Sequence, residues 1–188
     1  MDLVNFYNQR VDFFQKRSAN YHRLTNMLSI FRLLLFIVIP VSFILLYNVS
    51  IWLSILVGLF FLILFCISVK RHLYFQQEEV VSEYIVKINL NEIKSIKGDL
   101  KEFYGGSEFK PQDHMYALDL DVFGETSLYS MVNRSSTWAG RQKIAEWLLK
   151  QADIDTIIKR QNAIKELSEQ VDFRQELQSF SVKTPDLV

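Results

Sequence analysis

The sequence has a single cysteine and three prolines among its 188 residues, and each shortage narrows the possible structures. One cysteine cannot form an intramolecular disulfide. Cys66 lies within an apolar run, where we interpret it as a small side chain facing lipid or a neighbouring helix. The scarcity of proline, together with 15 phenylalanines, favours long helices over disorder.

The chain also lacks an excess of charge of either sign. Lys and Arg together number 21, as do Asp and Glu. Nucleic acids attract strongly basic surfaces, so a balanced charge gives no argument for a nucleic-acid partner.

Patterns that carry catalysis or bind metals are missing as well. The histidines His22, His72 and His114 lie far apart, without closely spaced cysteine or carboxylate ligands. Asp119 and Asp121 have no nearby acid, base or nucleophile, so we interpret them as capping or salt-bridging groups. No Gly-x-Ser-x-Gly motif and no Gly-x-x-x-x-Gly-Lys-Ser/Thr phosphate loop occurs in the sequence. We therefore predict no catalytic, cofactor or metal site in this chain.

Two uncharged apolar runs contrast with these shortages. The first is Leu33–Tyr47, about 15 residues, and the second is Ile51–Val69, about 19 residues. Crossing a hydrocarbon core of ~30 Å takes about 20 helical residues, so the second run qualifies directly. The first qualifies if Arg32 keeps its aliphatic stem in lipid and its guanidinium among the headgroups. Pro40 is expected to kink this first helix.

Only Asn48-Val49-Ser50 separates the two runs, which predicts an antiparallel transmembrane hairpin over residues 28–69. Basic residues flank the outer ends of the runs, whereas the connecting turn has no charge. The flanking basic residues are Arg10, Lys16, Arg17, Arg23, Arg32, Lys70 and Arg71. The positive-inside rule then places both termini in the cytoplasm. A re-entrant arrangement of the first run is an alternative.

The segments on either side of the hairpin show helical periodicity. Residues 1–27 mix apolar and charged positions. This pattern predicts an amphipathic helix that lies on the membrane surface or packs against another helix. Residues 70–104 repeat apolar positions at helical spacing and are expected to form a juxtamembrane helix. This helix should end in the glycine-containing stretch from Gly98 to Gly105. We place the boundary to the next domain near Gly105.

Residues 105–188 are predicted to contain one short strand and several short helices. In residues 116–124, Leu118, Leu120 and Val122 alternate with aspartates, which indicates a strand. Side-chain caps are expected to start the helices at Thr126, at Ser136 or Thr137, at Asp153 and at Asp172. Such a small core indicates part of a larger domain.

These short elements follow one another in a recognisable order. The elements are Leu120-Asp121, the turn Asn133-Arg134-Ser135-Ser136-Thr137, Gly140-Arg141, Trp147-Leu148, and Arg160-Gln161-Asn162-Ala163-Ile164 with Leu167. Their order and spacing resemble the start of the core domain of the MutS family. Membrane-anchored MutS-related proteins of bacteria look similar over the whole length.

The resemblance implies a mostly α-helical fold with a two-span hairpin, flanking amphipathic helices and a partial MutS core domain. It implies the membrane-anchoring region of a DNA-binding ATPase at the bacterial inner membrane. ATP and Mg²⁺, DNA contacts and a homodimer are implied for the full-length protein, through domains absent from this chain. The Phe-x-Glu wedge that reads mismatches has no counterpart, because Gly105 stands where the glutamate after Phe103 would be.

Six residues are the predicted structural and coupling site: Gly140, Arg141, Trp147, Leu148, Arg160 and Gln161. Gly140 lets another backbone approach closely because it has no Cβ, while Trp147 and Leu148 bury the opposite helix face. Arg160 and Gln161 are expected to donate interhelical hydrogen bonds. The alternative hypothesis is a two-span membrane scaffold whose cytoplasmic helices oligomerise without nucleotide or DNA.

Overall fold

The computed structural model describes residues 2–47 and 50–183, and 78% of this part is helical. The predicted turn at Asn48-Val49 and the last residues of the predicted C-terminal domain, 184–188, lie outside the described residues. The helices are α1 (Leu3–Tyr47), α2 (Ile51–Ile96), α3 (Leu128–Val132), α4 (Trp138–Leu149), α5 (Ile154–Glu169) and α6 (Val171–Lys183). A short 3-10 helix covers Ser107–Phe109.

The first two helices continue across the boundaries proposed from composition. α1 runs for 45 residues with Pro40 inside it, and α2 runs for 46 residues. Neither helix breaks at 27/28 or at 69/70. The end of the juxtamembrane helix is confirmed, since α2 ends at Ile96 and Gly98 adopts a positive φ of 85°. Glycine tolerates this left-handed conformation, which terminates a helix.

The chain divides into two compact units. We call Phe13–Glu83 the hairpin unit, and Met1–Asp12 with Tyr84–Val188 the head unit. Because α1 and α2 are so long, each contributes residues to both units.

Within the hairpin unit, α1 and α2 pair in antiparallel fashion. Ser18 Oγ donates to Glu83 Oε1 at 3.4 Å, and further along α1 Tyr21 stacks on Phe75 with ring centroids 5.9 Å apart. Residue numbers therefore fall along α2 as they rise along α1. An ion pair, Arg17–Glu78 at 2.8 Å, and a hydrogen bond between His22 Nδ1 and Glu79 Oε1 at 2.7 Å lie in the same region.

Small buried side chains lie along the apolar part of the hairpin unit. Ser54 is completely buried, and Ser68 and Leu35 are almost completely buried. The Ser54 hydroxyl donates to the Ser50 carbonyl at 3.0 Å, which satisfies it within its own helix. Small residues let helix backbones approach closely, which is how helices associate in lipid.

In the head unit, a buried amide pair joins α2 to α6. Asn89 Nδ2 donates to Gln175 Oε1 at 3.3 Å, and Gln175 Nε2 donates back to Asn89 Oδ1 at 2.9 Å. Arg10 on α1 donates to the same Gln175 oxygen at 2.7 Å and pairs with Asp172 at 2.7 Å. Because Asn89 is fully buried, these bonds fix the three helices in one register.

A second core of the head unit surrounds Tyr129, which is fully buried. Its ring packs against Phe123 and Phe109, with centroids 5.3 and 5.9 Å away. Its hydroxyl donates to the Arg141 carbonyl at 3.0 Å. Burial raises the pKa of Tyr129 to about 12, so the phenol stays protonated and keeps donating at physiological pH.

The predicted strand at 116–124 does not form, and the described residues contain no strand. The segment folds as turns: the Leu120 amide donates to the Tyr116 carbonyl at 3.0 Å. Asp121 adopts a positive φ of 45°, outside the range of a strand. Only Val122 of the three expected inward residues is buried, whereas Leu118 and Leu120 are exposed.

Two of the predicted helix caps are confirmed and two are wrong. Thr137 accepts from the Gly140 amide at 3.2 Å, and Asp153 accepts from the Thr156 amide at 2.8 Å. α3 is capped by Ser127 in a capping box rather than by Thr126. α6 already begins before Asp172, which lies in its first turn.

The buried amide pair leads to a double-mutant prediction. Asn89→Leu and Gln175→Met should each lower the free energy of unfolding by about 2 kcal/mol, because each removes the partner of one buried amide atom, Gln175 Nε2 in the first variant and Asn89 Oδ1 in the second. Replacing both at once should cost less than the sum of the two changes. The measurement is urea unfolding in neutral detergent, followed by Trp138 and Trp147 fluorescence in a Trp52→Phe background. Strictly additive losses would contradict the pairing.

Candidate functional site

The hairpin unit has uncovered apolar surfaces on both of its helices. α1 and α2 each contain an 18-residue window apolar enough to cross a membrane, and only 6% and 11% of these windows are buried. A core helix of a water-soluble protein would have most of such a window covered. By length and composition, both helices are compatible with a membrane location.

Side chains at the ends of the apolar runs fit membrane interfaces. Tyr47 and Trp52, on either side of the connection, are exposed by 56% and 79%. Amphipathic rings favour the headgroup level of a bilayer. Arg32 and the pair Lys70-Arg71 lie at the opposite ends of the runs. Cys66 is exposed on α2, between Trp52 and Lys70.

Gly140 lies against the side chain of a nearby residue, whereas the sequence predicts that another backbone approaches it. A Cβ at this position would collide with Ser135 Oγ and come within 3.1 Å of Thr137 Oγ1. Ser135 Oγ cannot simply rotate away, because it accepts from the Thr137 amide at 3.3 Å and donates to the Thr137 carbonyl at 3.2 Å. Gly140 therefore holds the turn tightly against the start of α4.

The predicted residues on α4 and α5 meet through a cation–π contact. The Arg160 guanidinium lies 4.1 Å from the centroid of the Trp147 ring. This contact stands in place of the hydrogen bond predicted for Arg160. Gln161 is exposed on α5. Leu148 packs against the Tyr129 core, whereas Trp147 is 44% exposed and buries less of its surface than the sequence suggests.

Arg141, the remaining predicted residue, lines a cavity of about 370 Å³ in the head unit. α2, the loop after it, the turn before α4, α4 and α6 all contribute to the wall. The wall includes Tyr84, Asn91, Glu92, Glu102, Phe103, Tyr104, Arg134, Ser136, Arg141 and Gln178. The guanidinium of Arg141 lies 4.8 Å from the centroid of the Tyr104 ring.

Arg134 lies in the same wall and is fully engaged by the protein. Its Nε and Nη2 donate to the two carboxylate oxygens of Glu92 at 2.6 and 3.2 Å. Its guanidinium also covers the Phe103 ring at 3.8 Å. The sequence places Arg134 in the turn before α4 but predicts neither its pairing with Glu92 nor the Asn89–Gln175 pair. No local spacing indicates these contacts, since Arg134 and Glu92 are 42 residues apart.

Among the described residues, no group of three His, Cys, Asp or Glu side chains could hold a metal ion. No family model matches the chain, and no curated protein or solved structure matches it. The resemblance to MutS proteins stays a prediction.

Gly140→Ala tests the packing of the turn against α4. Alanine normally stabilises a helix by roughly 0.5–1 kcal/mol relative to glycine, but here overpacking against Ser135 should outweigh that gain. We expect a net loss of about 1 kcal/mol in the free energy of unfolding. In a Ser135→Ala background, which removes the colliding hydroxyl, the loss should shrink. Equal effects of Gly140→Ala in both backgrounds, measured by urea unfolding, would refute the contact.

Proposed function

We propose that this chain is the membrane-anchoring N-terminal region of a MutS-like DNA-binding ATPase, and that it tethers and couples rather than catalyses. The observation that carries the proposal is the exposure of the two apolar windows, of which only 6% and 11% are buried. In water, each Å² of apolar surface that is left uncovered costs about 25 cal/mol of free energy. A bilayer removes this cost.

The flanking charges support a cytoplasmic position for both termini. Basic residues stand outside both runs, whereas the connection between the runs has no charge. The bacterial inner membrane is the proposed location because the resemblance is to bacterial proteins. A tether there confines the protein to a thin layer and raises its effective concentration towards DNA near the membrane.

The ordered series of short elements in the head unit supports the MutS assignment. Two local features agree with the proposed role in positioning helices. Gly140 brings a turn tightly against α4, and Arg160 links α5 to Trp147 on α4. ATP, Mg²⁺ and DNA would bind to domains of the full-length protein, which would act as a homodimer.

Cys66 provides a direct test of membrane insertion. In isolated, broken membranes a charged maleimide should not label Cys66 until detergent is added, because hydrocarbon excludes the charged reagent. The matched control is Cys66→Ser/Met115→Cys, since Met115 is 95% exposed in the head unit. This thiol should react without detergent. If Cys66 reacted as fast as the control thiol, the membrane span would be ruled out.

The proposed coupling role predicts that bound nucleotide changes how strongly the full-length protein retains DNA. The gene should continue beyond codon 188 into a phosphate loop, and the full-length protein in liposomes should retain DNA in a nucleotide-dependent way. Replacing the lysine of that loop with alanine should abolish the nucleotide effect while leaving the protein in the membrane. DNA retention that is indifferent to ATP would count against the MutS-like assignment but not against the anchor.

The second candidate is a two-span membrane scaffold whose cytoplasmic helices oligomerise without nucleotide or DNA. α5 favours it, because this helix has no buried residue in the described structure. Its exposed apolar side chains are Ile154, Ile157, Ile158, Ile164 and Leu167. Such an uncovered stripe is typical of a surface that contacts another helix. A stop codon directly after codon 188 would favour this candidate.

A further inference from the structure

The cavity in the head unit contains one cation that the protein does not neutralise. Of its two arginines, Arg134 is paired with Glu92 at 2.6 Å. The second carboxylate in the wall, Glu102, is paired with Lys94 at 3.0 Å. Arg141 has no ion pair with a described carboxylate, and its closest acceptor is the Ser136 carbonyl, 3.5 Å from Nη2. The lining residues therefore carry two positive and two negative charges, and Arg141 is the one charged group among them without an ion pair in the described structure.

The hydrogen bonds of Arg141 are also incomplete. Its Nε is buried and has no hydrogen-bond partner among the described residues. A guanidinium has five N–H donors, and leaving buried donors unsatisfied costs free energy. The ring of Tyr104 supports the guanidinium from one side but accepts no conventional hydrogen bond. An oxyanion in the cavity would supply the missing charge and acceptors.

Three neutral polar groups in the same wall add to the preference of the cavity for an oxyanion. Ser136, Asn91 and Tyr84 line the cavity, and their side chains make no hydrogen bond within the described structure. Together with Arg141 they come from α2, from the turn before α4 and from α4 itself. A phosphate has three acceptor oxygens pointing in different directions, which suits several converging donors better than a flat carboxylate does.

We propose that this cavity binds a small molecule carrying a phosphate group, with Arg141 as the principal phosphate ligand. Ser136, Asn91 and Tyr84 supply further donors. The volume of about 370 Å³ exceeds that of one phosphate and lies within the range of small-molecule sites. The organic part of the ligand lies against Phe103 and Tyr104. This site does not depend on the MutS assignment.

The test is calorimetric titration of the full 188-residue chain in a neutral detergent with inorganic phosphate. Wild type should show saturable binding. Arg141→Gln should weaken it by about tenfold or more, since charged hydrogen bonds contribute roughly 1.5–3 kcal/mol. Lys143→Gln is the matched control: it removes one positive charge from the same helix, but Lys143 pairs with Glu146 and does not line the cavity. It should bind as wild type does.

Ser136→Ala is a second variant, which separates lost binding from misfolding. The Ser136 side chain makes no hydrogen bond within the described structure, so the substitution removes none from the fold. It should keep the wild-type helical signal in circular dichroism and bind phosphate several-fold more weakly. No saturable binding to wild type would overturn the proposal. So would equal binding to Arg141→Gln and wild type, or tighter binding of acetate than of phosphate.

Two further titrations identify the source of the phosphate. Glycerol phosphate represents a free metabolite, and a water-soluble short-chain phosphatidic acid represents a lipid headgroup. Both should depend on Arg141. Tighter binding of glycerol phosphate assigns the site to a soluble ligand, and tighter binding of the phosphatidic acid assigns it to a lipid. If neither depends on Arg141, the site does not recognise phosphate esters.

Discussion

The two long helices satisfy their backbone hydrogen bonds internally along the whole of their apolar, mostly uncovered length. In hydrocarbon an unpaired N–H or C=O costs several kcal/mol, so an apolar run that enters a bilayer must be helical throughout. This constraint agrees with α1 and α2, which remain helical for 45 and 46 residues while their composition changes from apolar to charged. The change of composition at 27/28 and 69/70 therefore ends neither helix.

The two units consequently use different means to hold helices together. In the hairpin unit, Ser54 and Ser68 are buried, and side chains as small as serine let helix backbones approach closely. The head unit instead buries Tyr129 in an aromatic core and pairs Asn89 with Gln175. Burial in water supplies the drive there, and the paired amides select one arrangement among several equally apolar ones.

Sequence reasoning succeeded where the determinant was local. The caps Thr137 and Asp153 each depend on residues within three positions of one another. The predicted strand failed because the alternation of apolar and acidic residues is not matched by alternating burial, since Leu118 and Leu120 are exposed. A strand also needs a partner strand, which the described chain does not provide. The Asn89–Gln175 pair joins residues 86 apart, and no local pattern signals such a contact.

The two arginines around the turn before α4 show why composition cannot assign a binding role. Arg134 and Arg141 stand in one short stretch and line one cavity. Glu92, from a distant part of the chain, neutralises Arg134 and makes it part of the framework. No described carboxylate reaches Arg141, which keeps its charge available to a ligand. The function of each arginine is thus decided by which acidic side chain the fold brings near it, and the long continuous α2 is what places Glu92 beside one and not the other.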